Sequence, residues 1–312
     1  MVPAPQFRCI AVLGPTASGK SAVALALARR LDEAPIISCD SMQIYKGMDI
    51  GTGKVPAAER QSQPHHLIDE LDIHTRYSAS DFVRKAHGIL ARLPENGPPA
   101  ILEGGTGLYA RALIYGLQLL PADRGVFQAL ERESKSPDGM QRLQEELARR
   151  DPDLAEKLAP NPRHLLRAVE VLRLTGKTPP ECRREVTLEP EPGFLQTILM
   201  PEPQWHRRRI RRRVQGMIDA GWIEETARLV AKGLLQTPTA RQALGYRDIA
   251  DYLAAPAERN PDELVERIYR RTVQYARRQR TWFRHQHPGA HVLDVDETTT
   301  TKFLVERILT LL

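Results

Sequence analysis

Gly14-Pro15-Thr16-Ala17-Ser18-Gly19-Lys20-Ser21 follows the apolar run Cys9-Ile10-Ala11-Val12-Leu13 and opens the alanine- and leucine-rich run that continues to Leu31. A strand, a glycine loop and a helix form the context in which the spacing G-x-x-x-x-G-K-[ST] marks a phosphate-binding loop. Gly14 and Gly19 let the backbone take positive φ and approach an anion closely. Successive N–H groups then turn inward as a nest at the positive end of a helix dipole. Lys20 adds a mobile cation, and the Ser21 hydroxyl is a ligand type for Mg²⁺. All eight residues are candidates for binding a polyphosphate. The loop alone does not say which polyphosphate binds or what attacks it.

Strand and helix signals alternate beyond the loop. Ala34 to Cys39 reads as a second strand, Pro64 to Asp69 as a short extended piece, and Ser80 to Leu93 as an amphipathic helix. Ala100 to Glu103 is a third buried strand, breaking into Gly104-Gly105-Thr106-Gly107 and a further helix. This order implies an α/β fold, a P-loop doubly wound parallel sheet whose ligands sit at the C-terminal strand ends. The loop glycines, Asp40 and Thr106 all follow strand ends and so share one rim.

From residue 121 to 160 leucines recur at helical spacing with no strand signal, which predicts a helical insertion. Residues 1–120 and 161–312 then form the core with a helical, Arg-rich C-terminal half. Within it, Pro162 to Leu174 is expected to be helical and Thr178 to Gly193 an exposed connection. Phe194 to Met200 reads as a strand, Pro203 to Gly233 as helix broken near Ala220-Gly221, and Asp262 to Arg284 as a long helix. Ala290 to Asp294 is a last strand and Lys302 to Leu312 a closing helix.

The chain has 312 residues, 41% hydrophobic and 27% charged, with net charge +6. Cys9, Cys39 and Cys182 form no C-x-x-C pair, so reduced thiols in a cytoplasmic protein are expected. No apolar run is long enough to span a bilayer, and no signal-peptide pattern opens the chain. Adjacent His65 and His66 point to opposite sides of an extended segment and are poorly placed to chelate together.

Asp40 is the strongest acid/base candidate: past a strand end and facing the loop, it can bind Mg²⁺ or take a proton from a nucleophile. The alternative is that it, or Ser41, caps a following helix. Thr106, among three glycines, fits close approach to a ligand, or a helix cap in a tight turn. Residues 205–213 hold six arginines with no acid among them. Like charges at i,i+4 repel, so the segment calls for an anionic partner. In the last long helix Ile268, Thr272, Tyr275 and Trp282 share one stripe, and Arg270, Arg277 and Arg284 recur on another. Guanidinium groups with aromatic rings suit phosphates and unstacked bases of a nucleic acid. Arg163 and Arg167, one helical turn apart, add a third basic site.

Together these segments resemble the bacterial tRNA dimethylallyltransferase (tRNA isopentenyltransferase) family. The matching pieces, in order, are residues 14–21, Asp-Ser-Met-Gln-Ile-Tyr-Lys-Gly-Met-Asp-Ile-Gly-Thr at 40–52 and Pro-His-His-Leu-Ile-Asp at 64–69. They continue with Gly-Gly-Thr-Gly-Leu-Tyr at 104–109, Arg-Ala-Val-Glu-Val at 167–171, Thr-Gly-Lys at 175–177, Leu-Gly-Tyr-Arg at 244–247 and Ala-Arg-Arg-Gln-Arg-Thr-Trp-Phe at 276–283. The resemblance implies that the loop holds dimethylallyl diphosphate, with Mg²⁺ assisting through Ser21. The exocyclic amine (N6) of the adenine 3′-adjacent to the anticodon then attacks the allylic carbon. By the same resemblance Asp40 is the general base, Thr106 lies near the reaction centre and Arg213 helps hold the diphosphate. The tRNA anticodon stem-loop is expected at Asp40, Ser41, Met42 and Gln43; at Arg163, His164 and Arg167; and at Gln242, Gly245, Tyr246 and Arg247. Arg277, Arg278, Gln279, Arg280, Trp282 and Arg284 complete the set. Two departures from the family pattern are Asn161 at a usually acidic position and His164 where arginine is usual. A monomer is expected, with no membrane partner and no C-terminal zinc finger. The alternatives are prenyl transfer to free AMP, ADP or ATP, a P-loop small-molecule kinase, and an RNA-binding module that senses nucleotide. Arg-rich helices far from the loop weigh against an acceptor as small as a nucleotide.

Overall fold

The computed structural model describes residues 7–117, 119–184, 189–255 and 260–312. Its elements in chain order begin β1 (Cys9–Leu13), α1 (Lys20–Arg30), β2 (Ile36–Ser38), α2 (Ala57–Ser62), β3 (His65–His66), α3 (Ala79–Leu90), β4 (Ala100–Gly104) and α4 (Gly107–Ile114). They continue α5 (Arg124–Glu133), α6 (Gly139–Ala148), α7 (Pro152–Leu158), α8 (Pro162–Thr175), α9 (Pro179–Arg184), β5 (Phe194–Pro201), α10 (Pro203–Asp219) and α11 (Trp222–Ala231). Last come α12 (Tyr246–Ala254), α13 (Pro261–Gln286), β6 (His291–Val295) and α14 (Thr301–Leu309).

The six strands form one parallel sheet in the order β3-β2-β4-β1-β5-β6. Strand β1 is central and buried along its whole length, as a strand covered on both faces must be. Its neighbours β4 and β5 lead to opposite sides of the sheet, so the phosphate loop lies where ligands of doubly wound sheets bind. On one face Ile10, Val12, Ile36, Ile101 and Leu199 pack against Val23 and Leu27 of α1 and Leu304 and Ile308 of α14. Residues of opposite pleat face the other way: Gln196 of β5 meets Tyr115, just past α4, and His287, just past α13. Phe82 of α3 stacks on Tyr109 of α4 at 5.0 Å. Among the described residues no helix is long and apolar enough to cross a membrane.

Burial drives the His287 imidazole down to about 4 from an ordinary value near 6.5. The folded chain therefore keeps His287 neutral, while the unfolded chain protonates it as pH falls through 6.5. Stability from this site is intact above that pH, declines between 6.5 and about 4, and falls no further below. Denaturant midpoints at pH 7 and pH 5 should show a loss of about 2 kcal/mol that is absent in His287→Gln.

The chain divides into two bodies, residues 1–116 with 190–312 and, separately, Leu117–Glu189. The second body is wider than the helical insertion expected at 121–160, because α8 packs with the insertion. Leu165, Ala168 and Val169 share a core with Leu130, Leu143, Leu147 and Ala155. The connection expected to be exposed over Thr178 to Gly193 includes α9. Thr178 is buried and its N–H donates to Glu181, which pairs with Arg150 at 2.8 Å. Residues 185–188 of that stretch lie outside the described residues.

Candidate active site

The phosphate loop leaves β1 at Gly14, where a Cβ would meet the Leu199 carbonyl oxygen at 2.7 Å, so only glycine passes beside β5. The turn continues through Ala17 (φ 61) and Gly19 (φ 96) into α1. Ser18 is 2% exposed and its hydroxyl has no partner among the described residues. Lys20 Nζ reaches the Pro15 carbonyl at 3.5 Å and stands 4.0 Å from Glu103. Burial lowers the Lys20 ammonium and raises the Glu103 carboxyl, and their mutual attraction opposes both shifts.

Side chains of α10 and α13 hold the loop backbone from outside. The Thr16 N–H donates to Gln279 Oε1 at 2.9 Å, and Gln279 Nε2 donates to the Gly105 carbonyl at 2.8 Å. The Thr16 carbonyl lies 2.8 Å from His206 Nε2, which must carry the proton because a carbonyl only accepts. Arg209 Nε donates to the Ala17 carbonyl at 3.1 Å. Gln279 thus joins the phosphate loop to the turn bearing Thr106. Its side chain, expected at the RNA, is buried and points inward. The signal for this was its place in the buried series Ile268, Thr272, Ala276, Gln279, Phe283.

Asp40 starts no helix: its Oδ1 accepts from the N–H groups of Met42 (2.8 Å) and Gln43 (3.3 Å), closing a turn. Its Oδ2 has no hydrogen-bond partner among the described residues. Thr106 stands at the cap position of α4 but does not cap it, since its hydroxyl accepts from the Ser41 N–H at 3.2 Å. Together with the Thr106 N–H on the Cys39 carbonyl, this bond ties the ends of β2 and β4 into one rim.

Arg213, one turn beyond Arg209, lies against Gly53, where a Cβ would fall 1.9 Å from its Nη2. Burial lowers its guanidinium, while Glu103 and Asp40 act the other way; among the described residues it has no ion pair. The loop beneath it is fixed by Glu225 of α11, 3% exposed, a residue that sequence reasoning missed. Its carboxylate accepts from the N–H groups of Asp49 (2.9 Å), Ile50 (2.8 Å) and Gly51 (3.1 Å) and from the Tyr246 hydroxyl (2.7 Å). Gln43, another expected RNA contact, is buried and joins β2 to the same loop: Oε1 accepts from Ser38 and Nε2 donates to the Thr52 carbonyl.

The remaining expected RNA residues divide by exposure. Arg277, Arg278 and Arg284 of α13 are exposed, as are Gln242 and Arg247, while Ser41 and Met42 are half-buried at the rim. Arg277, Arg278 and Trp282 line a shallow pocket with Thr281, His285 and Gln286. Arg280 is partly buried and donates to the Pro201 carbonyl. Tyr246 is fully buried and Gly245 lies under the Trp222 indole, so both shape their loop from within. In the second body Arg163 and His164 are exposed, whereas Arg167 holds the Leu120 and Pro121 carbonyls and Glu170.

The arginines of 205–213 do not form one unpaired stripe. Arg209 and Arg213 face the loop, while Arg208 pairs with Glu297 at 3.0 Å and Arg211 with Glu266 at 2.6 Å. Arg207 and Arg212 remain exposed without an ion pair among the described residues.

The sequence model of the IPP transferase family matches residues 43–286. A tRNA dimethylallyltransferase of Halorhodospira halophila is 42% identical over 288 residues, covering 90% of this chain and 91% of that protein. One from Corynebacterium jeikeium is 40% identical, covering 89% of each. The crystal structure of the full-length tRNA isopentenylpyrophosphate transferase from Bacillus halodurans superposes with TM-score 0.70 at 34% identity, over 98% of this chain and 95% of that one. A eukaryotic dimethylallyltransferase acting on tRNA gives TM-score 0.78 at 26% identity, over 93% of this chain and 74% of that one. The phosphate loop, the Asp40–Thr106 rim and identity sustained over nine-tenths of the chain agree: this chain belongs to the IPP transferase family of tRNA dimethylallyltransferases.

Proposed function

We infer that this chain transfers a dimethylallyl group from dimethylallyl diphosphate to the N6 amine of the adenine 3′-adjacent to the anticodon in tRNA, releasing diphosphate. The observation that carries the reading is the rim: Asp40, whose Oδ2 has no partner among the described residues, and the Thr106 turn stand beside a loop built for phosphate. An adenine must leave its stack to present N6 there. As the N–C bond forms and the allylic C–O bond breaks, Asp40 accepts the proton lost from N6. Lys20, Arg213 and the loop N–H groups stabilise the charge that gathers on the departing diphosphate. Ser21 would hold Mg²⁺, the cofactor we assign, and the bound ion would neutralise diphosphate charge. Among the described residues no cluster of three His, Cys, Asp or Glu could hold a metal, which fits an ion bound largely by substrate oxygens and water. Arg277, Arg278 and Arg284, with Gln242, Arg247, Arg163 and His164, contact the anticodon stem-loop, and the enzyme works as a cytoplasmic monomer.

Purified protein given labelled dimethylallyl diphosphate should label unmodified tRNA and leave AMP and ATP unlabelled. Label found only in AMP overturns the reading. Arg277→Ala should weaken tRNA binding and reduce the slope of log K against log salt by about 0.7–1, as expected for one lost phosphate contact. A salt-insensitive, unaltered affinity would remove α13 from the interface.

A further inference from the structure

We propose that Glu103 is the protein carboxylate of a divalent-cation site, shared with Ser21 Oγ and the oxygens of the bound diphosphate. This deepens the reading above, which it presupposes only so far as a diphosphate lies on the loop.

Glu103 sits near the C-terminal end of β4, paired in register with Val12 of β1, the strand that feeds the phosphate loop. Sheet order therefore delivers a carboxylate directly beside Ser21. The side chain is 8% exposed, yet it is poorly satisfied for a buried anion. Oε1 accepts from Ser21 Oγ at 3.0 Å and lies 4.0 Å from Lys20 Nζ. Oε2 has no hydrogen-bond partner among the described residues. A buried carboxylate ordinarily takes several donors or a close cation. Ser18, in the same loop, also keeps a buried hydroxyl without a partner, so the cradle is built around a ligand.

Two physical arguments turn this geometry into a cation site. A carboxylate at the floor of a diphosphate cradle repels the substrate unless positive charge lies between them. Lys20 supplies one such charge at long range; a divalent ion supplies two and gives Oε2 its partner. Second, the Ser21 proton is directed at Glu103, so the hydroxyl lone pairs are left for a metal. Mg²⁺ favours one or two carboxylate or hydroxyl oxygens completed by substrate phosphates and water, which is what Glu103 and Ser21 offer. P-loop NTPases likewise hold Mg²⁺ with the loop Ser or Thr and one carboxylate.

The test uses the full chain with inorganic diphosphate, and Mn²⁺ as a paramagnetic probe whose free concentration is read by electron paramagnetic resonance. Wild type should bind Mn²⁺ in the presence of diphosphate, and Glu103→Gln should weaken that binding at least tenfold. In EDTA the same variant should bind diphosphate as well as wild type or better, since a negative charge has gone. Glu103→Asp, which keeps the charge but withdraws it by one methylene, should lie between, and it serves if the Gln variant does not fold. Unchanged Mn²⁺ affinity, or weakened diphosphate binding in EDTA, would overturn the proposal and leave Glu103 as a brace for Lys20. Neither tRNA nor a prenyl group enters this titration, so its outcome stands apart from that of the labelling assay.

Discussion

Asp40→Ala is expected to lower kcat by about two to four orders of magnitude, the usual contribution of a positioned general base, with tRNA affinity nearly unchanged. Alanine also deletes Oδ1, which closes the turn through Met42 and Gln43. Asp40→Asn separates the two roles. The amide oxygen can still accept both N–H groups, but the residue can no longer take a proton from N6. Single-turnover measurements on both variants, with saturating tRNA and dimethylallyl diphosphate, should give losses of similar size. Full activity in Asp40→Asn would end its assignment as base, and a loss confined to alanine would reassign it to holding the turn.

The largest effect on stability is expected at Glu225. Alanine there strands three loop N–H groups and the Tyr246 hydroxyl, all satisfied now by one carboxylate. Each buried donor left unpaired costs about 1–3 kcal/mol, and water entering the space recovers part of this, so a loss of about 3–5 kcal/mol is expected. In a chain of this size, whose unfolding entropy is about 0.65 kcal/mol/K, a loss of about 3 kcal/mol lowers Tm by roughly 5 °C. Glu225→Gln retains one acceptor oxygen and should fall between. The loop carries Gly53, on which Arg213 rests, so a stable Glu225→Gln should also raise the KM for dimethylallyl diphosphate. A thermal midpoint for Glu225→Ala within about 2 °C of wild type would show that the loop holds itself.

Much of the architecture was legible because it depends on local chemistry. The loop at 14–21 can be read from eight residues, since its glycine spacing and its lysine follow from how a backbone wraps an anion. The strands β1, β4 and β5 stand out as apolar runs because both their faces are covered. The break between α10 and α11 is visible at Gly221, which adopts φ 97. Asp40 and Thr106 were found together by one topological rule, as both follow strand ends.

What stayed hidden depends on partners far along the chain. Gln279 reads as one more polar residue in a basic helix until Thr16, 263 positions away, is brought against it. Glu225 reads as an ordinary first-turn acid of α11 until it meets the amides of residues 49–51. The arginine run at 205–213 looks unopposed because its acids, Glu266 and Glu297, lie on other segments. Helix α8 was assigned to the core because sequence order cannot say which apolar stripe its leucines will meet.

The sequence by itself therefore determined that a phosphate loop opens a parallel α/β sheet, and which carboxylate and hydroxyl end up on its rim. Those properties follow from backbone geometry and strand order. Tertiary structure alone decided that Gln279, His206 and Arg209 hold the loop from outside, and that Glu225 sets the floor under Arg213. It alone placed Glu103 beside Ser21. A side chain's role in such contacts is set by the distance and direction of its partner, and only folding supplies these.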